Sequence, residues 1–119
     1  MNSKIVWTDI TVPNAEGLKD FYKEVVGWES EPVGMGDYDD FNMKSNGNED
    51  PDAGICHARG SNSDIPPVWL VYLAVDDLVE SLAACEKLGG KILKPATKNG
   101  KFAIIEDPAG AVCALYQVS

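Results

Sequence analysis

The chain has 119 residues, of which 45% are hydrophobic and 24% are charged. This length fits one domain, and the composition is that of a soluble globular protein rather than of a disordered, collagenous or coiled-coil chain. Nineteen acidic and ten basic side chains give a net charge of −9, which repels phosphate backbones and anionic lipid. We therefore expect neither nucleic acid nor a membrane surface as a partner.

The sequence also predicts where the protein resides. The N-terminal residues lack the basic and apolar segments of a signal peptide, and no apolar run approaches the roughly 20 residues of a membrane span. The three cysteines, Cys56, Cys85 and Cys113, show no CxxC spacing, so we interpret them as reduced thiols and expect no zinc ribbon. Together these features predict a cytoplasmic protein.

The first half of the chain predicts one strand, one helix and three further strands. Residues 5–12 alternate between apolar and polar side chains, as in a strand with one buried face. Asn14 is suited to cap a helix that begins at Ala15 and ends at Gly27. This helix has an apolar stripe at helical spacing, made of Leu18, Phe21, Tyr22, Val25 and Val26. Weaker strand signals follow at residues 28–33, 38–43 and 54–58.

The second half repeats this order after a linker-like segment, residues 59–67. Residues 68–75 form an apolar strand, and Asp77 followed by Glu80 predicts a capping box at the start of a helix. The pair Gly89-Gly90 ends this helix. The apolar stripe of the helix consists of Leu78, Leu82, Cys85 and Leu88, and the strands that follow are predicted at residues 91–93, 101–106 and 111–117.

The two halves therefore match as an internal repeat. An offset of 63 residues places Val12 on Val75, Asn14 on Asp77 and Gly27 on Gly90. We predict an α+β fold in a single domain, built from paired βαβββ modules. Module one covers about residues 4–58, the linker about 59–67, and module two about 68–118.

The segments ITVPN and FYKEVVGW in module one, and LAVDDL, LGGKIL and EDPAGAVCALYQ in module two, carry a resemblance to a known family. The chain resembles the vicinal oxygen chelate superfamily of glyoxalases, bleomycin-resistance proteins and extradiol dioxygenases. Within it, the chain looks most like the group called predicted enzymes related to lactoylglutathione lyase. The resemblance implies a curved, eight-stranded mixed sheet with helices on its outer face and a ligand in its concavity.

The resemblance also implies where a metal would bind. Metal enzymes of this superfamily use His and Glu side chains from the first and last strands of each module, since such ions need imidazole or carboxylate donors. Three of the corresponding positions hold Trp7, Leu70 and Ala114, and the fourth holds His57 or Ala58, depending on the alignment. We therefore expect no metal and no cofactor. A rearranged site could use Asp9, His57 and Glu106.

Strand alternation, mapped on the superfamily's fold, points one set of side chains into the concavity. The set is aromatic and apolar with a few polar groups, which suits a planar or hydrophobic small molecule. It consists of Trp7, Asp9, Leu70, Tyr72, Ala114 and Tyr116. The alternative is that these side chains only fill the interior. A second set is predicted to pack between helix and sheet: Phe21, Tyr22, Val25, Leu82 and Leu88.

Three functions fit these observations. The first is a metal-free protein that binds a small hydrophobic or aromatic molecule, as in the bleomycin-resistance branch, whose drug-binding members form homodimers. The second is a glyoxalase-like lyase or related enzyme that uses an unusual metal site, or Asp9, His57 or Glu106 as a general base. The third is a non-catalytic interaction module.

Overall fold

The structure is a computed structural model that describes residues 3–96 and 100–118. Its helices and strands follow the predicted order. They are β1 (Ile5–Val12), α1 (Ala15–Val26), β2 (Glu29–Gly34), β3 (Asp39–Lys44), β4 (Ala53–His57), β5 (Leu70–Val75), α2 (Leu78–Lys87), β6 (Lys91–Lys94), β7 (Phe102–Glu106) and β8 (Val112–Gln117). The predicted α+β fold of two βαβββ modules, with eight strands in mixed pairing, is confirmed.

The described chain divides into two compact units. The first unit is Thr8–Trp69, and the second unit contains the residues up to Trp7 together with those from Leu70 onward. The division falls inside β1, so Trp7 groups with module two although the sequence assigns it to module one. The predicted linker carries a short 3-10 helix, Gly60–Asn62, and belongs to the first unit.

The first unit orders its strands β2-β3-β4-β1, with β1 parallel to β4 and the other pairs antiparallel. The side chain of Asn14 caps α1 by accepting a hydrogen bond from the Gly17 backbone N–H at 3.0 Å. Gly27 ends the helix in the left-handed region, at φ 85°, where an L side chain is strained. The helix packs on a core made of Ile10, Ala15, Phe41, Met43 and Ile55.

The second unit orders its strands β5-β8-β7-β6, with β5 parallel to β8. The Ala74 backbone N–H also donates to the Lys4 carbonyl oxygen at 2.8 Å, which ties the N-terminal segment to β5. As predicted, Asp77 caps α2, accepting from the Glu80 backbone N–H at 3.1 Å. The core beneath α2 consists of Leu78, Ala103, Ile105 and Leu115.

Three of the residues predicted to pack beneath the helices are exposed instead. Phe21 is 54% exposed, Val25 63% and Leu88 74%. Leu88 lies beyond the last helical residue, Lys87. The glycine in the left-handed conformation is Gly89 and not Gly90. The helical stripes are therefore narrower than their spacing predicts. Within residues 3–96 and 100–118, neither helix is long and apolar enough to cross a membrane.

Candidate functional site

An aromatic surface lies on the side of the second unit's sheet that faces away from α2. Tyr72 is paired with Ala114, and Phe102 with Tyr116. The Tyr72 and Phe102 ring centroids are 6.0 Å apart. The alternating neighbours Ala103 and Leu115 belong to the core beneath α2, so these rings project from the opposite side of the sheet. We call Tyr72, Phe102 and Tyr116 the aromatic face.

The aromatic face stands on small and branched side chains that are completely buried. Leu70 and Ala114 are 0% exposed and Ile104 is 1% exposed, whereas Tyr116 is 37% exposed and Tyr72 is half-buried. Four of the predicted ligand-contacting residues lie on this side of the sheet. Leu70 and Ala114 form the buried floor of the aromatic face, and the rings of Tyr72 and Tyr116 are partly accessible to a ligand. Trp7 is half-buried in the β1 segment of the same unit.

Phe102 is the member of the aromatic face that the sequence analysis missed. Its cross-strand pairing with Tyr116 places it in the face. The sequence signal was available, because residues 102–106 alternate and put Phe102 on the same side of β7 as Ile104 and Glu106. What the sequence lacked was the register between β7 and β8.

The first unit holds an acidic group around a half-buried thiol, that of Cys56. Asp9 is paired with Gly54, two residues before Cys56 on β4. Burial, and then the nearby carboxylates of Asp9 and Asp40, raise the pKa of the Cys56 thiol to about 12. Because the thiolate is the reactive form, Cys56 is a poor nucleophile at neutral pH. The group therefore offers carboxylates as bases and no activated sulfur.

His57 lies at the end of β4, against Asp40. Its backbone N–H donates to Asp40 Oδ1 at 2.8 Å, and its Nδ1 lies 3.4 Å from the same oxygen. The ring contacts Tyr38 edge-on, with centroids 5.3 Å apart. Alternation puts His57 on the strand face of Ile55, which packs beneath α1. Asp9 is on the opposite face of β1, since its neighbour Ile10 belongs to that same core.

The three candidate catalytic residues are therefore not assembled within either unit. Asp9 and His57 occupy opposite strand faces of the first unit. Glu106 belongs to the second unit, where its Oε2 lies 3.9 Å from Lys91 Nζ. Over residues 3–96 and 100–118, no group of three or more His, Cys, Asp and Glu side chains has the geometry of a metal site.

Strand register identifies the fourth position at which the superfamily's enzymes would bind metal. Tyr72 is paired with Ala114 in the second unit, and its repeat equivalent Asp9 is paired with Gly54 in the first. The equivalent of Ala114 is thus Gly54, so neither His57 nor Ala58 occupies that position. The four positions hold Trp7, Gly54, Leu70 and Ala114, and their side chains carry no carboxylate, imidazole or thiolate donor. These residues do not fit the superfamily's metal.

The chain matches the family described as the Glyoxalase/Bleomycin resistance protein/Dioxygenase superfamily over residues 4–115. This match covers nearly the whole chain, so the protein belongs to that superfamily. The resemblance found in the sequence is confirmed.

Two curated relatives cover almost all of the chain. A protein named putative glyoxylase CFP32, from Mycobacterium bovis, is 30% identical over 120 aligned residues, which cover 95% of this chain and 45% of the relative. The anthracycline biosynthesis protein DnrV of Streptomyces peucetius is 27% identical, over 93% of this chain and 46% of its own length. The chain thus spans about half the length of the curated relatives it matches.

Solved structures support the fold. A hypothetical protein, BH1468, from Bacillus halodurans superimposes with a TM-score of 0.59 at 11% identity, covering 100% of this chain and 96% of its own. The methylmalonyl-CoA epimerase of Mycobacterium tuberculosis superimposes with a TM-score of 0.53 at 14% identity, covering 94% and 85%. At these identities the likeness concerns the fold alone.

Proposed function

We propose that the protein binds a small hydrophobic or aromatic molecule without a metal, and that the aromatic face supplies part of the contact surface. The observation that carries this proposal is the pairing of Tyr72 and Phe102, 6.0 Å apart, beside a partly exposed Tyr116. Ring surfaces above an apolar floor stack well on planar ligands. Because anthracyclines are planar aromatic molecules, the similarity to an anthracycline biosynthesis protein also favours this ligand class.

Nuclear magnetic resonance with a neutral planar probe, 1-naphthol, tests the ligand class. We expect saturable shifts of the backbone signals of Tyr72, Phe102 and Tyr116 in chelator-treated protein. Tyr72→Ala and Phe102→Ala should each weaken binding about tenfold, since each removes an aromatic contact and apolar area. Phe21→Ala is the matched control, because Phe21 is an exposed ring on α1 outside the aromatic face. Equal affinity in all variants would refute a role for the aromatic face.

The absence of a metal requirement has its own test. Zn²⁺, Ni²⁺, Mn²⁺ and Fe²⁺ are titrated into chelator-treated protein while the melting temperature is followed. An ion that binds only the folded state at 100 times its Kd would add about 2.7 kcal/mol of stability. We expect no saturable rise with any ion. A rise with one ion, lost in Asp9→Asn or His57→Ala, would overturn the metal-free proposal.

A second candidate function is a glyoxalase-like lyase or related enzyme. The observation in its favour is that the Asp9 and Asp40 carboxylates both act on the Cys56 thiol, so one of them could serve as a general base. The assay is turnover of the hemithioacetal formed by methylglyoxal and glutathione. Turnover that is lost in Asp9→Asn but kept in Glu49→Gln, an exposed loop residue, would favour this function over binding alone.

Two further predictions from the sequence belong to this proposal. We propose that the protein forms a homodimer, and that it acts in the cytoplasm. Light scattering after size exclusion tests the first, with a mass near twice the 12.8 kDa of the chain as the expected result. Fractionation of the native host's cells tests the second, and recovery outside the cytosolic fraction would contradict it.

A further inference from the structure

The internal repeat shows a difference in how the two helices pack. In the first unit, Tyr22 on α1 lies 5.1 Å from Phe21, 5.9 Å from Trp28 and 5.3 Å from Trp69, measured between ring centroids. The Trp69 indole N–H also donates to the Tyr22 hydroxyl at 3.0 Å. The offset of 63 residues places Phe21 on Ala84 and Tyr22 on Cys85. Two rings in one unit therefore correspond to two small side chains in the other.

The small side chains of α2 leave an apolar groove of about 420 Å³ along this helix. We call it the α2 groove. Its walls come from the helix, from the β7–β8 turn and from the core, and include Cys85, Leu88, Gly90, Ile105, Pro108 and Leu115. Gly90 is needed for this shape, because a Cβ there would lie 2.6 Å from Cys85 Sγ and 3.0 Å from the Glu106 carbonyl oxygen. The groove has a volume typical of a small-molecule site.

An acidic concavity of about 440 Å³ lies next to the groove, beside the N-terminus of α2. The two spaces share the lining residues Val75, Ser81 and Ala84, so they are adjacent along the helix. Asp76, Asp77 and Glu80 line the acidic end. The apolar groove thus has three acidic residues next to it, on a chain whose net charge is −9.

We propose that the α2 groove is a binding site for a hydrophobic amine, distinct from the aromatic face. An aromatic ring of the ligand occupies the α2 groove, where the first unit has the ring of Tyr22. The protonated amine points to Asp76, Asp77 and Glu80, whose charges complement it. An anion of the same size is repelled from that end.

Three indoles of different charge test the proposal: cationic tryptamine, neutral indole and anionic indole-3-propionate. Their affinities are measured by backbone chemical-shift titration, which also locates the site. Tryptamine should bind most tightly and indole-3-propionate least, with shifts at Cys85, Gly90 and Leu115. Equal affinities for the three compounds, or shifts confined to the aromatic face, would overturn the proposal.

A substitution at Ala84 tests the groove itself. Ala84→Phe restores the ring of the first unit and should weaken tryptamine binding by at least about tenfold, because the phenyl ring fills the apolar end. Ala83→Phe, at an exposed helix position that does not line the groove, is the matched control. Melting curves of both variants establish that they fold. Unchanged tryptamine affinity in Ala84→Phe would contradict the proposed site.

Glu80→Gln tests the acidic end without changing its shape. We expect about threefold weaker binding of tryptamine and unchanged binding of indole, as for one exposed charge. Glu86→Gln on the same helix is the control, because Glu86 is exposed and does not line either end. A loss of tryptamine and indole binding alike would contradict the assignment of the amine to this end.

Binding of 1-naphthol to Ala84→Phe should be unchanged, because Ala84 lies outside the aromatic face. This measurement distinguishes a failure of the groove proposal from a failure of the proposed function.

Discussion

The first and second units have the same order of elements but fill the space between helix and sheet differently. Tyr22, Trp28 and Trp69 occupy that space in the first unit, whereas Ala84 and Cys85 leave the α2 groove in the second. Caps, periodicity and strand pairing set the common architecture. Side-chain volume at a few repeat-equivalent positions decides whether a unit has a closed helix–sheet interface or a groove.

The largest expected effect comes from truncating equivalent core residues. Ile55 and Leu115 hold equivalent places in register, opposite Ile10 and Leu73. Ile55→Ala should lower the free energy of unfolding by about 3 kcal/mol, since Ile55 is 0% exposed in a closed core. Leu115→Ala should cost about 2 kcal/mol, because Leu115 borders the groove and is 7% exposed. Urea denaturation measures both losses of stability. A larger loss in Leu115→Ala than in Ile55→Ala would contradict the difference between the two units.

Replacing either of the repeat-equivalent glycines, Gly27 or Gly90, with alanine should destabilise the protein, but for different reasons. Gly90→Ala should cost about 2 kcal/mol, because its Cβ meets Cys85 Sγ and the Glu106 carbonyl oxygen. Gly27→Ala should cost about 1 kcal/mol, because Gly27 has a φ of 85° and no atom near its Cβ position. Adding Cys85→Ala should recover part of the loss in Gly90→Ala and none in Gly27→Ala. Thermal unfolding of the single and double variants gives the answer.

Removing the hydrogen bond between the Trp69 indole and the Tyr22 hydroxyl should have a smaller effect on stability. Tyr22→Phe keeps the ring but removes the acceptor, so about 1 kcal/mol of stability should be lost. Cys85→Ser, at the equivalent position of α2, is the counterpart. It should disturb the second unit without altering the environment of Trp28 and Trp69, whose emission is recorded in a Trp7→Phe background because Trp7 groups with the second unit. Tryptophan emission that shifts in Cys85→Ser as much as in Tyr22→Phe would show that the two interfaces are not independent.

The smallest effect on stability should come from alkaline pH, through the half-buried thiol of Cys56 in the first unit. Folding raises the pKa of Cys56 from 9.0 to about 12, so the folded state holds this proton more tightly than the unfolded state. Its contribution is fully present below pH 9 and is lost as the pH rises from 9 towards 12. At pH 9.5 the loss should be below about 1 kcal/mol. Wild type should therefore lose more stability than Cys56→Ala between pH 8 and 9.5, and parallel losses would contradict this.

Much of the fold could be predicted from the sequence, because its signals are local. Asn14, Asp77 and Gly27 act as the caps that their residue types predict. The exposed Phe21, Val25 and Leu88 could not be predicted in the same way. Helical spacing identifies a face, but the width of the buried part depends on the sheet beneath it.

The candidate site depends on register, which the sequence does not contain. A shift of three residues in the alignment of β4 separates His57 from Gly54, the position that the structure makes equivalent to Ala114. Phe102 joins the aromatic face for the same reason, through its pairing with Tyr116. The α2 groove could not be predicted from the sequence either, although the repeat aligns Ala84 with Phe21 and Cys85 with Tyr22.

The central claim is that a planar aromatic molecule binds the protein without a metal. The most direct measurement is the titration of 1-naphthol into chelator-treated protein, followed at the backbone signals of Tyr72, Phe102 and Tyr116. We predict saturable shifts at these residues, unchanged when a divalent ion is added back and reduced in Tyr72→Ala. Shifts that appear only after the ion is restored, or no shifts at these residues, would contradict the claim.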